Sequence, residues 1–558
     1  MKSHAHILLL ALALSLSVAG DASGQGESND PVAADSGLAR IGGARSAPGL
    51  ARPVRREAQS DAAVPAACIT EHAVLVNGHT LRYRATAGYM PIRRDSGSLL
   101  ANIFFVAYEQ ENTERKTRSG TASNPQSEII THVTPGFDRG PQSKDRPITF
   151  AFNGGPGASS VWLHMGAFGP KRALLANDGT ALPRSNSLVD NEYTWLAFTD
   201  LVFVDPVGTG FSFPAAGNDA DQFYEVQMDM EVAADFVRLF VTQHERWLSP
   251  QFLVGESYGT TRAVSMARHL QDRYGLYVNG LILLSSALDM GAISLDPGND
   301  LPYVLSLPSC TAVALYHGKL GERPSLDLER SLQRVQAWAL SDYLAALAKG
   351  RLLSQAGSRQ IARRLAEYTG LDEEMIARSR LRISTLAFAQ ELLGREGRVL
   401  GLLDGRVAAP NVPSPRRAWT DPSLFLVEGP FVAAFNSYVR DQLGFRTDRP
   451  YVFLSEKANA SWNWGPSRRG YLNVAPTLAE AMSLDNRLRV FAAAGYYDLT
   501  TPYLSQEYVF NHLDLPDTLQ QNVTFRHYYT GHQIYTSTDA LRRLTEDVKA
   551  FMAGPEAQ

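Results

Sequence analysis

Short runs of apolar residues recur along the chain from Pro147 onward, and longer stretches with helical patterns separate them. Each run passes into Gly, Asp or Asn at its end. Continuous apolar strands that alternate with helices are typical of a parallel sheet covered on both faces. We therefore predict an α/β fold with a mainly parallel central sheet, whose chemistry lies at the carboxyl ends of the strands. The runs are PITFAFNGG, DLVFVDPVG, QFLVGES, GLILLSSALD and LRVFAAAGYYD.

Two other patterns flank or interrupt this series. The stretch AVLVNGHTLRYRATAGYMPI places Asn77-Gly78 between alternating runs, which predicts a β-hairpin, and LLANIFFVAYEQ continues as a strand. From Leu301 to Arg406 the pattern is mainly helical, and two of its helical segments end in Gly. We expect this insertion to lie over the strand ends as a cap. A peripheral position for these helices is the alternative.

The N-terminus has the layout of a secretory signal peptide. Lys2 precedes an apolar run over residues 7–18 that is too short to span a bilayer, and small residues follow it. A buried N-terminal helix is the alternative. The signal predicts a secreted or periplasmic protein without a stable membrane anchor. We expect a signal peptide at 1–22, a disordered leader at 23–65, the α/β core at 66–300 and 426–558, and a helical cap at 301–425.

Composition narrows the class of partner. The 558 residues contain 53 Lys and Arg against 57 Asp and Glu, which gives a formal charge of −4. This balance lacks the excess of basic residues typical of proteins that bind nucleic acid. The chain has two cysteines, Cys68 and Cys310, and their spacing does not reveal whether they form a disulfide. No CxxC or HExxH motif is present, so we expect no metal or other cofactor. The sequence gives no indication of oligomeric state.

The segment FLVGESYGTTRA, from Phe252 to Ala263, carries the strongest chemical signal. An apolar strand runs into G-x-S-x-G and then into a helical pattern, which is the arrangement of a nucleophile elbow. The sharp turn needs small residues on both sides of the serine, and Gly255 and Gly259 supply them. The pattern therefore predicts that Ser257 is a nucleophile.

A serine nucleophile requires a base, and the base requires an orienting acid; in this type of fold they follow in the order Ser, Asp or Glu, His. His532 lies just past an aromatic-rich strand near the C-terminus and is our predicted base. His527, in the same strand, is the alternative. Asp498 follows the penultimate strand and is our predicted acid. Asp289 is its alternative, although it ends a strand that comes one position too early.

A developing oxyanion requires backbone N–H groups that can approach it closely. One donor should be the N–H of Tyr258, directly after the nucleophile. The second should come from a glycine-rich loop after an earlier strand, and FNGGPGASS, at 152–160, fits that position. Within it, Gly155 is the predicted donor. A tight turn without a catalytic role is the alternative.

At this point the chain resembles the serine carboxypeptidases, particularly their bacterial branch. The blocks NGGPGASS, GESYGT, VDPVGTGFSF, GYYDLTTP and TGHQIY carry the resemblance, which extends over residues 70–555. It implies an α/β-hydrolase fold with a helical cap and an enzyme, most active in mildly acidic medium, that releases C-terminal residues from peptides with a free C-terminus. It also implies a triad of Ser257, Asp498 and His532 with Gly155 and Tyr258 as oxyanion donors.

The resemblance further implies that Asn153 and Glu256 recognise the terminal carboxylate of the peptide. A glutamic acid that stays neutral in a dry pocket can donate a hydrogen bond to a carboxylate, whereas its ionised form repels one.

The chain departs from the family pattern at four places. Ala151 stands where the family has Trp, Ala167 where it has a second Glu and Ala158 where it has Cys, and Asp205-Pro206-Val207-Gly208 lacks the usual Gln. These departures leave an esterase or acyltransferase on the same triad as an alternative. A non-catalytic binding protein on a hydrolase scaffold is a further one.

Overall fold

The computed structural model describes residues 64–111, 129–130, 145–180, 187–320, 328–412, 421–465 and 471–554. The predicted signal peptide lies outside these residues, and so does nearly all of the predicted leader. Among the described helices, none combines the length and the apolar content needed to cross a lipid bilayer.

One large sheet organises the described part of the chain. Its strand order is β15-β14-β11-β10-β5-β8-β3-β2-β1-β4, and β9 pairs with β3. The remaining strands form two small antiparallel pairs, β6 with β7 and β12 with β13. The strands are β1 (Cys68–Val76), β2 (His79–Arg93), β3 (Leu99–Gln110), β4 (Ile129–Ile130), β5 (Ile148–Phe152), β6 (Lys171–Ala173), β7 (Leu188–Asp190), β8 (Asp200–Val204), β9 (Phe213–Pro214), β10 (Gln251–Glu256), β11 (Gly280–Leu284), β12 (Arg398–Leu400), β13 (Ala408–Pro410), β14 (Arg489–Gly495) and β15 (Val523–Tyr528).

The predicted parallel sheet is confirmed. The five apolar runs form β5, β8, β10, β11 and β14, and all neighbours from β15 to β8 pair in parallel. Every residue of β5, β10 and β11 is buried, because helices cover both faces of the sheet. The carboxyl ends of these strands therefore share one edge of the sheet.

The predicted hairpin is also confirmed. β1 and β2 pair antiparallel with Val76 opposite His79, so Asn77 and Gly78 form a two-residue turn. Both turn residues have positive φ, 49° and 78°. Asn and Gly tolerate this conformation best, and the twist of such a turn matches the twist of the strands. LLANIFFVAYEQ forms β3, which pairs antiparallel with β8 and so joins the antiparallel strands to the parallel part of the sheet.

The helices fall into two layers and an insertion. Residues of α2, α3, α12 and α13 share a core with one face of the sheet, and residues of α10 and α15 share a core with the other. The α-helices are α1 (Val161–Leu163), α2 (Val226–Gln243), α3 (Tyr258–Tyr274), α4 (Leu301–Tyr316), α5 (Leu328–Trp338), α6 (Leu344–Lys349), α7 (Gln355–Thr369), α8 (Glu373–Arg378), α9 (Thr385–Glu391), α10 (Pro422–Ser437), α11 (Glu456–Ala460), α12 (Ala475–Leu484), α13 (Tyr503–Asn511), α14 (Asp517–Gln520) and α15 (Thr538–Ala553).

The insertion from α4 to α9 has a core of its own. The two short strands β12 and β13 follow α9 and form a pair of their own. The chain between these strands lies against the loop after β14, because Leu499 N donates to Leu402 O and Gly405 N donates to Tyr497 O, both at 3.0 Å. The segment that follows the insertion thus reaches the edge of the sheet at which the parallel strands end.

The two cysteines are unpaired. Cys68 begins β1 and its thiol lies 3.4 Å from the carbonyl oxygen of Gly444. Cys310 lies in α4, within the core of the insertion, where burial raises the pKa of its thiol. The two side chains therefore belong to different parts of the fold.

Candidate active site

Ser257 lies on a strained turn between β10 and α3. Its backbone has φ 57° and ψ −128°, a combination that L-residues rarely adopt. A non-glycine residue in such a region costs of order 1–3 kcal/mol and persists only where surrounding structure enforces it. The turn therefore has the geometry expected of a nucleophile elbow.

Backbone crowding explains the glycines on either side of this serine. A Cβ on Gly255 would lie 2.2 Å from the carbonyl oxygen of Gly259, and a Cβ on Gly259 would lie 2.4 Å from the carbonyl oxygen of Phe152. Both contacts are with backbone atoms, which cannot move aside as a flexible side chain can. Side chains are consequently excluded at both positions by the turn and by β5.

His532 and Asp498 form a buried pair. Nδ1 of His532 lies 2.7 Å from Oδ2 of Asp498, and the side chains are 2% and 0% exposed. The same carboxylate accepts hydrogen bonds from the amides of Thr500 and Thr501, at 2.7 and 2.9 Å, and from the Thr501 hydroxyl at 2.7 Å. These donors fix the carboxylate, and the carboxylate in turn orients the imidazole.

The end of β11 connects the serine to the histidine. The amide of Ser257 donates to the carbonyl oxygen of Leu284 at 3.0 Å, and the hydroxyl of the next residue, Ser285, donates to the carbonyl oxygen of His532 at 2.6 Å. Ser257 and His532 are thus each hydrogen-bonded to one of two consecutive residues, Leu284 and Ser285, at the end of β11. Nε2 of His532 is buried and has no hydrogen-bond partner among the described residues.

Electrostatics at His532 favour its protonated form. Burial by itself lowers the pKa of this imidazole, but the carboxylates of Asp498, Glu256 and Asp421 act in the opposite direction, and the pKa is raised above its ordinary value. A buried acid that stabilises an imidazolium is what a serine nucleophile requires when it passes its proton to the histidine.

The glycine-rich loop after β5 packs directly on the elbow. A Cβ on Gly154 would lie 2.6 Å from both the amide nitrogen of Tyr258 and the carbonyl oxygen of Glu256. The next residue, Gly155, has φ 100° and precedes a cis peptide bond to Pro156. Tyr258 is the first residue of α3, so its N–H has no acceptor within the helix. The two predicted oxyanion donors therefore stand in adjoining segments.

Two buried side chains hold this loop in place. Nδ2 of Asn459 donates to the carbonyl oxygen of Pro156 at 3.0 Å. Asp205 accepts from the amide and the hydroxyl of Ser160, at 2.8 and 2.7 Å. Burial raises the pKa of Asp205 to about 6, against the effect of these donors.

Glu256 and Asn153 form a second polar group beside the predicted triad. Nδ2 of Asn153 donates to Oε2 of Glu256 at 2.9 Å, and the hydroxyl of Tyr535 donates to the same oxygen at 2.8 Å. Burial raises the pKa of Glu256 from its ordinary value of 4.5 to about 7. The charge of His532 and the two donors oppose this effect, whereas the charge of Asp498 adds to it.

The alternative residues lie elsewhere. Asp289 caps a short helical turn by accepting from Gly291 N at 2.8 Å. His527 lies in β15 and pairs with Glu507 at 2.9 Å. Neither has a described hydrogen bond to His532 or Ser257.

Sequence reasoning missed several residues that support this site. Tyr535 is the last residue of the TGHQIY block, but no role was predicted for it, because its contact with Glu256 depends on tertiary packing. Arg262 in α3 pairs with Asp229 at 2.8 Å and also donates to the carbonyl oxygen of Asn153. A charged pair buried within two amphipathic helices leaves no signal in the hydrophobic pattern.

The fold is that of an α/β-hydrolase. A prohormone-processing carboxypeptidase from Saccharomyces cerevisiae has a similar fold, with a TM-score of 0.50 at 16% identity over 84% of this chain and 91% of that chain. The profile of the serine carboxypeptidase family matches residues 137–279, the stretch that contains the glycine-rich loop and the elbow. The resemblance to serine carboxypeptidases is thereby confirmed.

Curated relatives agree with this match. Serine carboxypeptidase-like 51 of Arabidopsis thaliana is 36% identical over 152 residues, which is 25% of this chain and 30% of that protein. The lysosomal protective protein of Mus musculus is 32% identical over 190 residues, 32% of this chain and 33% of that protein. The matched stretches therefore span about a third of the length of these relatives.

Proposed function

We propose that this protein is an exported serine carboxypeptidase, which removes C-terminal residues from peptides through an acyl-enzyme. The observation that carries the proposal is the buried pair of His532 and Asp498 at the strand edge that also holds the strained Ser257. The family match over the glycine-rich loop and the elbow supports the same function.

In the proposed reaction, Oγ of Ser257 attacks the carbonyl carbon of the last peptide bond and its proton passes to Nε2 of His532. The N–H groups of Gly155 and Tyr258 stabilise the oxyanion of the tetrahedral intermediate. The imidazolium then protonates the amine of the departing residue, and the C–N bond breaks. Water, deprotonated by His532, hydrolyses the resulting ester and restores the serine.

Selection for the end of a peptide would come from Glu256 and Asn153. At a pH below about 7, Glu256 is mainly neutral and can donate a hydrogen bond to a carboxylate. Above that pH its own charge repels the substrate. The site therefore favours a free C-terminus in mildly acidic medium.

Mass analysis of the products from an unblocked peptide tests the function. We expect a ladder of products, each one residue shorter at the C-terminus, and no internal cleavage. A matched peptide with a C-terminal amide should react at least tenfold more slowly in kcat/KM, because it lacks the charge that Glu256 recognises. Internal fragments, or equal rates for acid and amide, would contradict carboxypeptidase activity.

An esterase or acyltransferase on the same triad is the second candidate, and Ala151 and Ala167 favour it because both replace larger side chains of the family pattern. Hydrolysis of blocked amino-acid esters without peptide shortening would support it. A non-catalytic binding protein is the third candidate. Failure of a fluorophosphonate to label Ser257 in the folded protein would support that reading instead.

Export rests on the N-terminal segment, which lies outside the described residues. N-terminal sequencing of the mature protein from a secreting host tests it. Cleavage near residue 22 would support export, whereas a retained N-terminus would contradict it.

A further inference from the structure

Glu256, the proposed recognition residue for the peptide terminus, is hydrogen-bonded by a side chain that the sequence alone does not single out, Tyr535. The Tyr535 hydroxyl lies 2.8 Å from Oε2 of Glu256, and Tyr535 is 2% exposed. Gln533 Nε2 is 3.5 Å from the same hydroxyl, at the outer limit of a hydrogen bond. Tyr535 ends the TGHQIY block, in which only His532 has a role predicted from the sequence.

Neighbouring residues make room for the tyrosine ring. A Cβ on Gly166 would lie 2.6 Å from Cε2 of Tyr535 and 2.7 Å from Cζ of Phe431. The next residue is Ala167, at the position where the family pattern has its second glutamate. This chain therefore has no second glutamate at position 167, and the phenol of Tyr535 packs against the residue beside that position.

The hydrogen bonds determine which oxygen of Glu256 carries the proton. Oδ1 of Asn153 accepts from the amide of Leu163 at 3.2 Å, so Nδ2 faces Glu256 and can only donate. With Asn153 and Tyr535 both donating to Oε2, that oxygen is an acceptor. The proton of the neutral acid consequently belongs on Oε1, the oxygen that neither donor contacts.

We propose that Tyr535 is a positioning residue, which takes the place of the missing second glutamate and orients Glu256 so that Oε1–H can donate to the terminal carboxylate of a substrate. This inference rests on the proposed function and names the residue that completes its carboxylate site. Tyr535 acts through Glu256.

Among the described residues, the titratable groups with the largest effects on the pKa of Glu256 are His532, Tyr535 and Asp498. The tyrosine hydroxyl stabilises the ionised form of the acid, so its removal should raise the pKa of Glu256 further. A mutant without the hydroxyl should then lose carboxylate binding at a higher pH than the parent protein. A tyrosine that only fills space would not move this midpoint.

The test measures binding in a Ser257→Ala background, where no turnover interferes. Calorimetry at pH 5.5 compares a blocked dipeptide acid with its C-terminal amide. We expect Tyr535→Phe to weaken binding of the acid about tenfold and binding of the amide less than twofold, and to shift the alkaline loss of acid binding upward. The matched control is Tyr503→Phe, since the buried hydroxyl of Tyr503 has no hydrogen-bond partner among the described residues.

The outcomes separate this inference from the proposed function. Equal losses for acid and amide, no loss at all, or an unmoved midpoint would overturn the role of Tyr535 even if the enzyme shortens peptides. The parent protein could also cleave no peptide and still prefer the dipeptide acid over the amide, with that preference lost in Tyr535→Phe. This result would uphold the role of Tyr535 and reject carboxypeptidase activity. A parent protein that binds acid and amide alike would overturn it too.

Discussion

The amide nitrogen of His532 donates a hydrogen bond of 2.6 Å to the carbonyl oxygen of Leu403. Leu403 belongs to the chain between β12 and β13, far from the histidine in sequence. Gly531 packs on the same chain, since a Cβ there would lie 2.3 Å from the Leu403 carbonyl oxygen. The loop that carries the proposed base is therefore held by the segment that follows the helical insertion.

Asp421 in turn holds that segment. Its Oδ2 accepts from the amides of Leu402 and Leu403, both at 3.1 Å, and the carboxylate is buried. We predict that Asp421→Asn destabilises the protein by about 2 kcal/mol, because in either orientation the amide NH₂ faces a backbone N–H. These N–H groups are those of Leu402 and Leu403 or that of Ser423, which donates to Oδ1 at 2.8 Å. The mutation should also lower kcat. Urea unfolding and ester kinetics measure the two effects.

Asp485→Asn is the matched control for Asp421. Asp485 is also buried and accepts a backbone amide, that of Arg487 at 3.1 Å, but it lies just before the amino end of β14. We expect the Asp485→Asn variant to be less stable to unfolding than the wild type and to keep the wild-type kcat. Equal losses of kcat in both variants would contradict a specific link from Asp421 to His532.

The backbone strain at Ser257 predicts a difference between two inactive variants. Ser257→Ala keeps a Cβ at φ 57°, whereas Ser257→Gly removes it. Both should lower kcat by roughly 10⁴ to 10⁶-fold, because the proposed nucleophile is lost. We expect the glycine variant to be about 1 kcal/mol more stable to unfolding than the alanine variant. Equal stability would show that the elbow is not strained.

Glu256 should make stability and activity depend on pH in a defined direction. Its pKa rises from 4.5 to about 7 on folding, mainly through burial. Between these values the folded state holds a proton that the unfolded chain releases, so the wild type loses stability as pH rises through this window, by roughly 3 kcal/mol in total. Glu256→Gln should remove most of this loss.

Thermal unfolding of both proteins at pH 4 and pH 8 measures the effect of Glu256→Gln. We expect the stability of the variant relative to the wild type to be higher at pH 8 than at pH 4. The decline of kcat/KM for free-carboxyl substrates above pH 7 should also flatten in the variant. An identical pH profile in both proteins would remove Glu256 from substrate recognition.

Gly154 tests the contact between the glycine-rich loop and the elbow. A Cβ at this position would lie 2.6 Å from the amide nitrogen of Tyr258, one of the proposed oxyanion donors. We therefore expect Gly154→Ala to lower kcat at least a hundredfold, which is about the loss seen when an oxyanion donor is removed. Active-site titration with a fluorophosphonate should show slower labelling.

The matched control is Gly429→Ala, in the interior of α10. Outside the adjacent residues and the backbone of α10, no atom lies within 4 Å of the added Cβ at Gly429, so the change should leave kcat unchanged. Because Pro430 follows and its ring disfavours a Cβ on the preceding helical residue, we expect no gain in helix stability. Normal activity in Gly154→Ala would place the oxyanion donors elsewhere.

Much of the fold could be predicted from the sequence because it depends on local patterns. Continuous apolar runs of five to seven residues that end in turn-forming residues are typical of strands covered on both faces, and β5, β10 and β14 are such strands. The turn at Asn77-Gly78 follows from the positive φ that these two residue types accept. The elbow motif is also local in sequence, and the turn itself excludes a side chain at Gly255, although at Gly259 it is the neighbouring strand β5 that does so.

Contacts between distant segments were decided only by the tertiary structure. Tyr535 on Glu256, Leu403 on His532 and Asn459 on the loop at Pro156 join residues separated by 129 to 303 positions. Such pairs leave no periodic signal, since each partner is a single polar group whose bond depends on how whole elements pack. Sequence alone thus determined the strands, the elbow and the candidate residues, and packing alone decided what holds and orients them.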